Sequence, residues 1–322
     1  MYSRILQMVA LMIVFRIVGI VLRRFALGSV IISKSSKLIY LLPLGFLGDA
    51  LDISWMTWFH LTPYMLLLKM SVSSLILTSL QIPGLIVPYI THKFKLPSKE
   101  NYAVKGNYIL PFTGKWTVAN GAVTKNLSHS WSLLPQRYAY DVIIMDDEGK
   151  SFSGDNRSVE SYYCYGKDIV APADGVVVKL SNRHKDSFVD GKNPYCDAST
   201  IAGNHITIKH NDDEYSFIAH IMKDSFAVKA GDKVKQGEVI AKCGNTGNSS
   251  EPHIHFQLNA GKSFNLSAGL PIAFSNIKAN AKANYEKWDK RITQKEVLKA
   301  HEDGTVYIGR GLEVENGSRH NE

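Results

Sequence analysis

The chain has 322 residues, 45% of them hydrophobic, and a formal net charge of +8. That length leaves room for about two structural regions. Residues 1–90 hold seven basic and two acidic side chains while the remainder holds 30 and 27, so the larger part is nearly balanced. That balance argues against a phosphate-tracking basic face and, with it, a nucleic-acid partner.

In chain order, residues 1–91 read as an α-helical membrane-spanning region. Ile5 to Leu22 is one apolar candidate span. Arg16 lies inside it, and Arg23 and Arg24 follow where a cleavable signal peptide would have a small-residue cleavage site. Leu38 to Gly48 and Ile53 to Leu68 are further apolar runs, split by Asp49 and Asp52. Ser71 to Thr91 is 21 residues without a charge, long enough at about 1.5 Å per residue to cross a hydrocarbon core of about 30 Å. Arg23, Arg24, Lys34 and Lys37 cluster in one loop, and basic loops stay cytoplasmic. With four spans, everything after Thr91 then emerges on the outer side of the membrane.

Residues 92–107 are polar and read as a linker, and residues 108–278 as the folded domain. Within it Asp168 to Val178 has the pattern of strand, tight turn and strand, and His205 to His210 followed by Tyr215 to His220 that of paired antiparallel strands. The segment Glu251-Pro252-His253-Ile254-His255-Phe256-Gln257-Leu258 alternates as a strand does. Its two histidines therefore project to one side, where one can hold a metal while the other handles protons. Residues 146–165 and 181–200, rich in Asp, Ser, Gly and Asn, are expected to be long loops lining a groove. Residues 279–322 read as a tail, helical in composition over Ala279 to Ala300 and disordered at its end.

The order and spacing of "APADGVV", "GNHITIKH", "AHI" and "VKAGDKVKQGEVIAKCGNTGNSSEPHIHFQL" closely resemble the lysostaphin/LytM-type zinc endopeptidases, bacterial enzymes that cut peptide bonds in peptidoglycan. The resemblance covers roughly residues 108 to 275. It implies a β-rich, antiparallel-sheet domain with a groove, one Zn2+ at its floor, and peptidoglycan peptides as substrate. By residue, Asp141 and His255 match the family's zinc-binding Asp and HxH His, and His220 and His253 its two non-ligand histidines. No HExxH helix places a Glu as base, so His220 and His253 are the candidates for moving protons and stabilising an oxyanion. A silent domain of the same fold, binding wall or activating a partner hydrolase, is the alternative.

The chain departs from the family at Arg137, four residues before Asp141, where a His ligand is usual. A guanidinium offers no lone pair to a metal. His129, twelve residues before Asp141, is the candidate replacement, carried back by its loop. The reading for Arg137 itself is a surface or ion-paired side chain, and for His205 and His210 a structural role. Cys164, Cys196 and Cys243 contain no CxxC pair, which argues against a thiolate metal site. Cys164 and Cys196 could close a disulfide around the insert between them; buried free thiols are the equal alternative.

Overall fold

A computed structural model describes residues 83–189, 200–294 and 303–317. They belong to one compact unit that begins at Leu80. The candidate membrane runs before residue 83 lie outside the described residues. Of the run ending at Thr91, residues 83–91 are helical, with Gly84 and Pro88 buried. A Cβ on Gly84 would come within 2.2 Å of the Asn265 carbonyl oxygen, so the helix packs directly on the domain. Among the described residues no helix is long and apolar enough to cross a membrane.

The described strands are β1 (Trp116–Asn120), β2 (Tyr140–Ile143), β3 (Asp168–Val170), β4 (Gly175–Ser181), β5 (His205–Asn211), β6 (Glu214–Ala219), β7 (Lys233–Val234), β8 (Val239–Lys242), β9 (Ile254–Asn259), β10 (Gly269–Leu270), β11 (Ile277–Ala281) and β12 (Leu312–Asn316). The main sheet runs β11-β12-β1-β2-β9-β6-β5-β4-β7, with β10 on β9, and β3 and β8 form a separate pair. Every pairing is antiparallel. The expected strand–turn–strand at Asp168 to Val178 appears as β3 and β4, although the two join different sheets.

Strict alternation in β9 builds both the core and the site. Ile254, Phe256 and Leu258 enter the main apolar cluster with Trp116, Tyr140 and Phe274, while His255, Gln257 and Asn259 point to the opposite face, where they too are buried. A strand buried on both faces can carry polar residues only if each finds a partner, because an unpaired buried polar group costs about 1–3 kcal/mol.

The expected tail departs most from the structure. β12 lies inside the main sheet, pairing Trp116↔Val314 with β1 and five residues with β11. Leu312 and Val314 are buried, alternating with Glu313 and Glu315, a period of two that five residues carry only faintly. The helical composition of Ala279 to Ala300 yields a four-residue helix, Tyr285–Trp288. Its first residues go instead to the edge strand β11, where pairing with β12 overrides weak local preference.

The presumed linker is also fastened to the domain. Glu214, fully buried at the start of β6, accepts hydrogen bonds from Tyr102 Oη at 2.8 Å, Lys105 N at 2.6 Å, Gly106 N at 3.0 Å, Tyr108 Oη at 2.8 Å and Asn211 Nδ2 at 2.7 Å. Tyr138 Oη reaches the Pro97 carbonyl at 3.0 Å. Cys164 is a buried free thiol donating to the Pro252 carbonyl at 3.0 Å, so the suggested Cys164 to Cys196 bridge gives way to the packed-thiol alternative. Cys196 itself lies outside the described residues.

Candidate metal centre

The sheet register sets out the floor of the site. Asn120 is opposite Asp141 across β1 and β2, Asp141 opposite His255 across β2 and β9, and His255 opposite Ala219 across β9 and β6. Opposed residues of antiparallel strands share a face. One lateral row of four strands thus brings an amide, a carboxylate and an imidazole together beneath a cavity of about 590 Å³.

His129 completes the group. The loop after Thr124 turns through Leu127 N and Ser128 N to the Thr124 carbonyl, and Ser128 Oγ donates to the Arg137 carbonyl at 2.8 Å. That fold-back sets His129 Nε2 3.5 Å from Asp141 Oδ2, while His255 Nδ1 lies 2.8 Å from Asp141 Oδ1. One donor atom from each of the three residues falls within 4.8 Å of the others. Bonds of about 2.0–2.2 Å at tetrahedral angles separate ligand atoms by roughly 3.4 Å; the 3.5 Å between His129 and Asp141 matches that spacing, and two imidazoles with a carboxylate are a donor set that suits a zinc ion. His129 Nδ1 is buried without a hydrogen-bond partner, which leaves its loop and Asp141 to orient the ring.

Two further histidines flank the triad. His220 and His253 ring centroids are 4.5 Å apart, and His253 Nε2 is 3.7 Å from Asp141 Oδ1. His220 follows β6 in the left-handed region at φ 61°, a conformation that costs a non-glycine residue about 1–2 kcal/mol. Bonds from His220 N to Ala202 O and from Gly244 N to His220 O hold it there. Its Nδ1 faces the Thr246 carbonyl at 2.7 Å; that of His253 faces the Glu251 carbonyl at 2.8 Å. A carbonyl only accepts, so in both rings Nδ1 carries the proton and Nε2 keeps its lone pair. Gly203 and Gly247, both at positive φ, permit this: a Cβ on either would lie 2.4 Å from backbone of the other's segment.

Electrostatics follow from burial and proximity. Burial pushes the Asp141 carboxyl up, but His129, His255 and His253 outweigh it and hold it well below the usual carboxylate range. Burial, then the neighbouring His253 and His255, keeps His220 well below the ordinary imidazole value, and burial lowers His129 as well. For His255 burial works downward, yet the hydrogen bond and charge of Asp141 raise it. The single carboxylate thus raises His255, while burial keeps His129 and His220 low.

The other candidates lie elsewhere. His205 Nδ1 meets the Gly203 carbonyl and its ring stacks on Phe217, and His210 bridges the Asp174 carbonyl and Ser216 Oγ. Arg137 donates to the Trp131 carbonyl at 3.0 Å and lies over the Trp131 ring. In the described part of the expected groove loops, Ser151 donates to Glu251 and Ser187 to Gly247. They brace the wall of the cavity, while Ile201, Asn248, Phe264, Trp288 and Arg291 line it.

Sequence reasoning missed the contribution of the C-terminal segment. Arg291 Nη2 donates to Asn120 Oδ1 at 2.7 Å, and Asn120 Nδ2 donates in turn to Asp141 Oδ2 at 3.2 Å. Arg310, which unlike Arg291 is buried, donates from Nη2 to the Leu127 carbonyl at 2.7 Å and steadies the His129 loop. Neither arginine has a local signal, since each acts across more than 170 residues.

A carboxylate and an imidazole on an antiparallel sheet, a second imidazole from a loop and two more histidines beside them make up the donor set of a metal centre. Residues 155–266 match Peptidase family M23, a stretch that contains His220, His253 and His255 and stops short of His129 and Asp141. The murein hydrolase activator NlpD of Salmonella typhimurium is 36% identical over 136 residues, 42% of this chain and 31% of NlpD. The peptidoglycan DD-endopeptidase ShyA of Vibrio cholerae is 33% identical over 112 residues, 34% of this chain and 22% of ShyA. The glycyl-glycine endopeptidase ALE-1 of Staphylococcus capitis is 28% identical over 162 residues, 50% of this chain and 39% of ALE-1. The chain therefore spans less than two fifths of the length of each of these relatives.

Proposed function

We propose that the domain is a zinc endopeptidase that hydrolyses peptide bonds of bacterial peptidoglycan. The convergence of His129, Asp141 and His255 at the floor of the cavity carries this reading. Those three side chains would hold the ion. Bound zinc acts as a Lewis acid that polarises a carbonyl and brings the pKa of water to about 7. His220 and His253, each with Nδ1–H tied to a carbonyl, present Nε2 lone pairs that take a proton from the attacking water. The nitrogen that takes that proton donates a hydrogen bond to the developing oxyanion and then passes the proton to the leaving amine.

The test is zinc content of the purified chain together with release of amino groups from purified peptidoglycan. His253→Ala is expected to keep the metal and slow release by about 10²–10⁴-fold. A zinc-loaded protein that releases nothing would defeat the endopeptidase reading, and loss of the metal in His253→Ala would defeat the division of roles. The similarity to NlpD favours a second reading, a wall-binding domain that activates a partner hydrolase. Its mark is wall binding that survives removal of the metal, with stimulation of the partner and no release by the chain alone.

Residues 1–91 would tether the domain to a bacterial membrane with its site on the outer side, as the apolar runs and the basic cluster at Arg23, Arg24, Lys34 and Lys37 support. External protease on wall-stripped cells should then digest residues 100–322. An intact chain under those conditions rules the topology out.

A further inference from the structure

We propose that Gln257 and Asn259 are positioning residues that hold the His255 ring with Nε2 protonated and the Nδ1 lone pair turned toward Asp141. The inference rests on His129, Asp141 and His255 being the metal ligands. It concerns how one of them is aimed.

The argument starts at two backbone carbonyls. Asn259 Nδ2 lies 2.9 Å from the Pro135 carbonyl oxygen and 3.2 Å from that of Ser267. Carbonyls accept and never donate, so the amide nitrogen must face them and the Asn259 oxygen must face the other way. Gln257 Nε2 donates to that oxygen at 2.7 Å and to the Pro135 carbonyl at 3.2 Å. Its own oxygen, Oε1, is thereby turned to His255 Nε2 at 2.9 Å. An amide oxygen has no proton to offer, so Nε2 carries one.

Reversing either amide would set oxygen against oxygen and strand a donor. Gln257 is 1% and Asn259 2% exposed, so water does not compensate, and each unsatisfied group costs about 1–3 kcal/mol. The direction of the whole chain of bonds is therefore set by Pro135 and Ser267, which titrate with nothing. At its far end, His255 Nδ1 and Asp141 Oδ1 face each other at 2.8 Å, so the nitrogen that would hold the metal is the one turned to the carboxylate. The alternation of β9 that sends Ile254, Phe256 and Leu258 into the core places all three polar residues in line on the other face.

The experiment measures zinc affinity of the full chain by chelator competition, with the visible spectrum of the cobalt(II)-substituted protein as a report on coordination. Gln257→Met keeps the volume and removes the acceptor; it is expected to bind zinc about 10–100-fold more weakly and to shift the cobalt bands. Gln257→Glu should stay close to wild type. Buried between a donor and an acceptor, the introduced carboxylic acid offers C=O to His255 Nε2–H and O–H to Asn259 Oδ1. Unchanged affinity in Gln257→Met, or equal losses in both variants, would overturn the proposal. Should Gln257→Met fail to fold, nitrogen NMR of the zinc-loaded wild-type chain reads the His255 tautomer, and an Nε2 without a proton overturns the proposal equally. A wild-type chain that binds no zinc would instead sink the metal reading itself.

Discussion

Replacing His129 with alanine is expected to strip the domain of zinc and of hydrolytic activity together, as is the same change at His255. Each removes one of three donors that lie within 4.8 Å of one another. Loss of a direct ligand should exceed the roughly 10–100-fold that an outer partner costs, so the chain should lose its metal on dialysis against weak chelator. The His129 experiment is the sharper of the two, because it tests whether a loop folded back over twelve residues replaces the ligand position occupied by Arg137. The fold should survive: His129 sits in a loop held independently by Ser128, Arg137 and Arg310. If His129→Ala retains full zinc and activity, the third ligand has been misassigned.

Glu214→Ala is expected to produce the largest loss of stability, about 3–5 kcal/mol in urea unfolding, at the upper end of single substitutions. The change leaves two tyrosine hydroxyls, two backbone N–H groups and one side-chain amide without their common acceptor. Burial pushes the Glu214 carboxyl up, but the bonds from Lys105 N, Tyr108, Asn211 and Tyr102 outweigh it and hold it below the usual range. A depressed folded-state pKa contributes stability that is complete above the unfolded value of about 4.3 and is lost as pH falls through the folded value. Wild type should therefore lose stability on the acid side of pH 4.3 more steeply than the variant. A loss under 1 kcal/mol would show that residues 102–108 are held by packing rather than by this carboxylate.

How much of this could be read in advance depended on the range of each interaction. The strand β9 was legible because alternation is local, and so was the shared face of His253 and His255. Asp141 and His220 were recognisable by resemblance to neighbouring motifs. His129 could be named only as a residue within loop reach, since its Nε2 meets Asp141 through a turn stabilised by Thr124 and Ser128. Arg291, Arg310, Gln257 and Asn259 carried no recognisable signal. Their effect lies in which way a donor points, and that is decided by partners far along the chain. The tail was misread for a related reason: β12 is five residues long, too short to announce a strand before β1 and β11 pair with it.

The sequence alone determined the chemistry available to this protein: imidazoles and carboxylates of suitable kinds, and an alternating strand to present them. Tertiary structure decided which of those groups meet, because sheet register aligned Asn120, Asp141 and His255 in one row and the returning C-terminal segment secured Asn120 and the His129 loop. Side-chain period is a property of neighbours along the chain. Convergence on one ion is a property of distances in space, and the decisive one, between Asp141 and His255, is set by the pairing of β2 with β9, 114 residues along the chain.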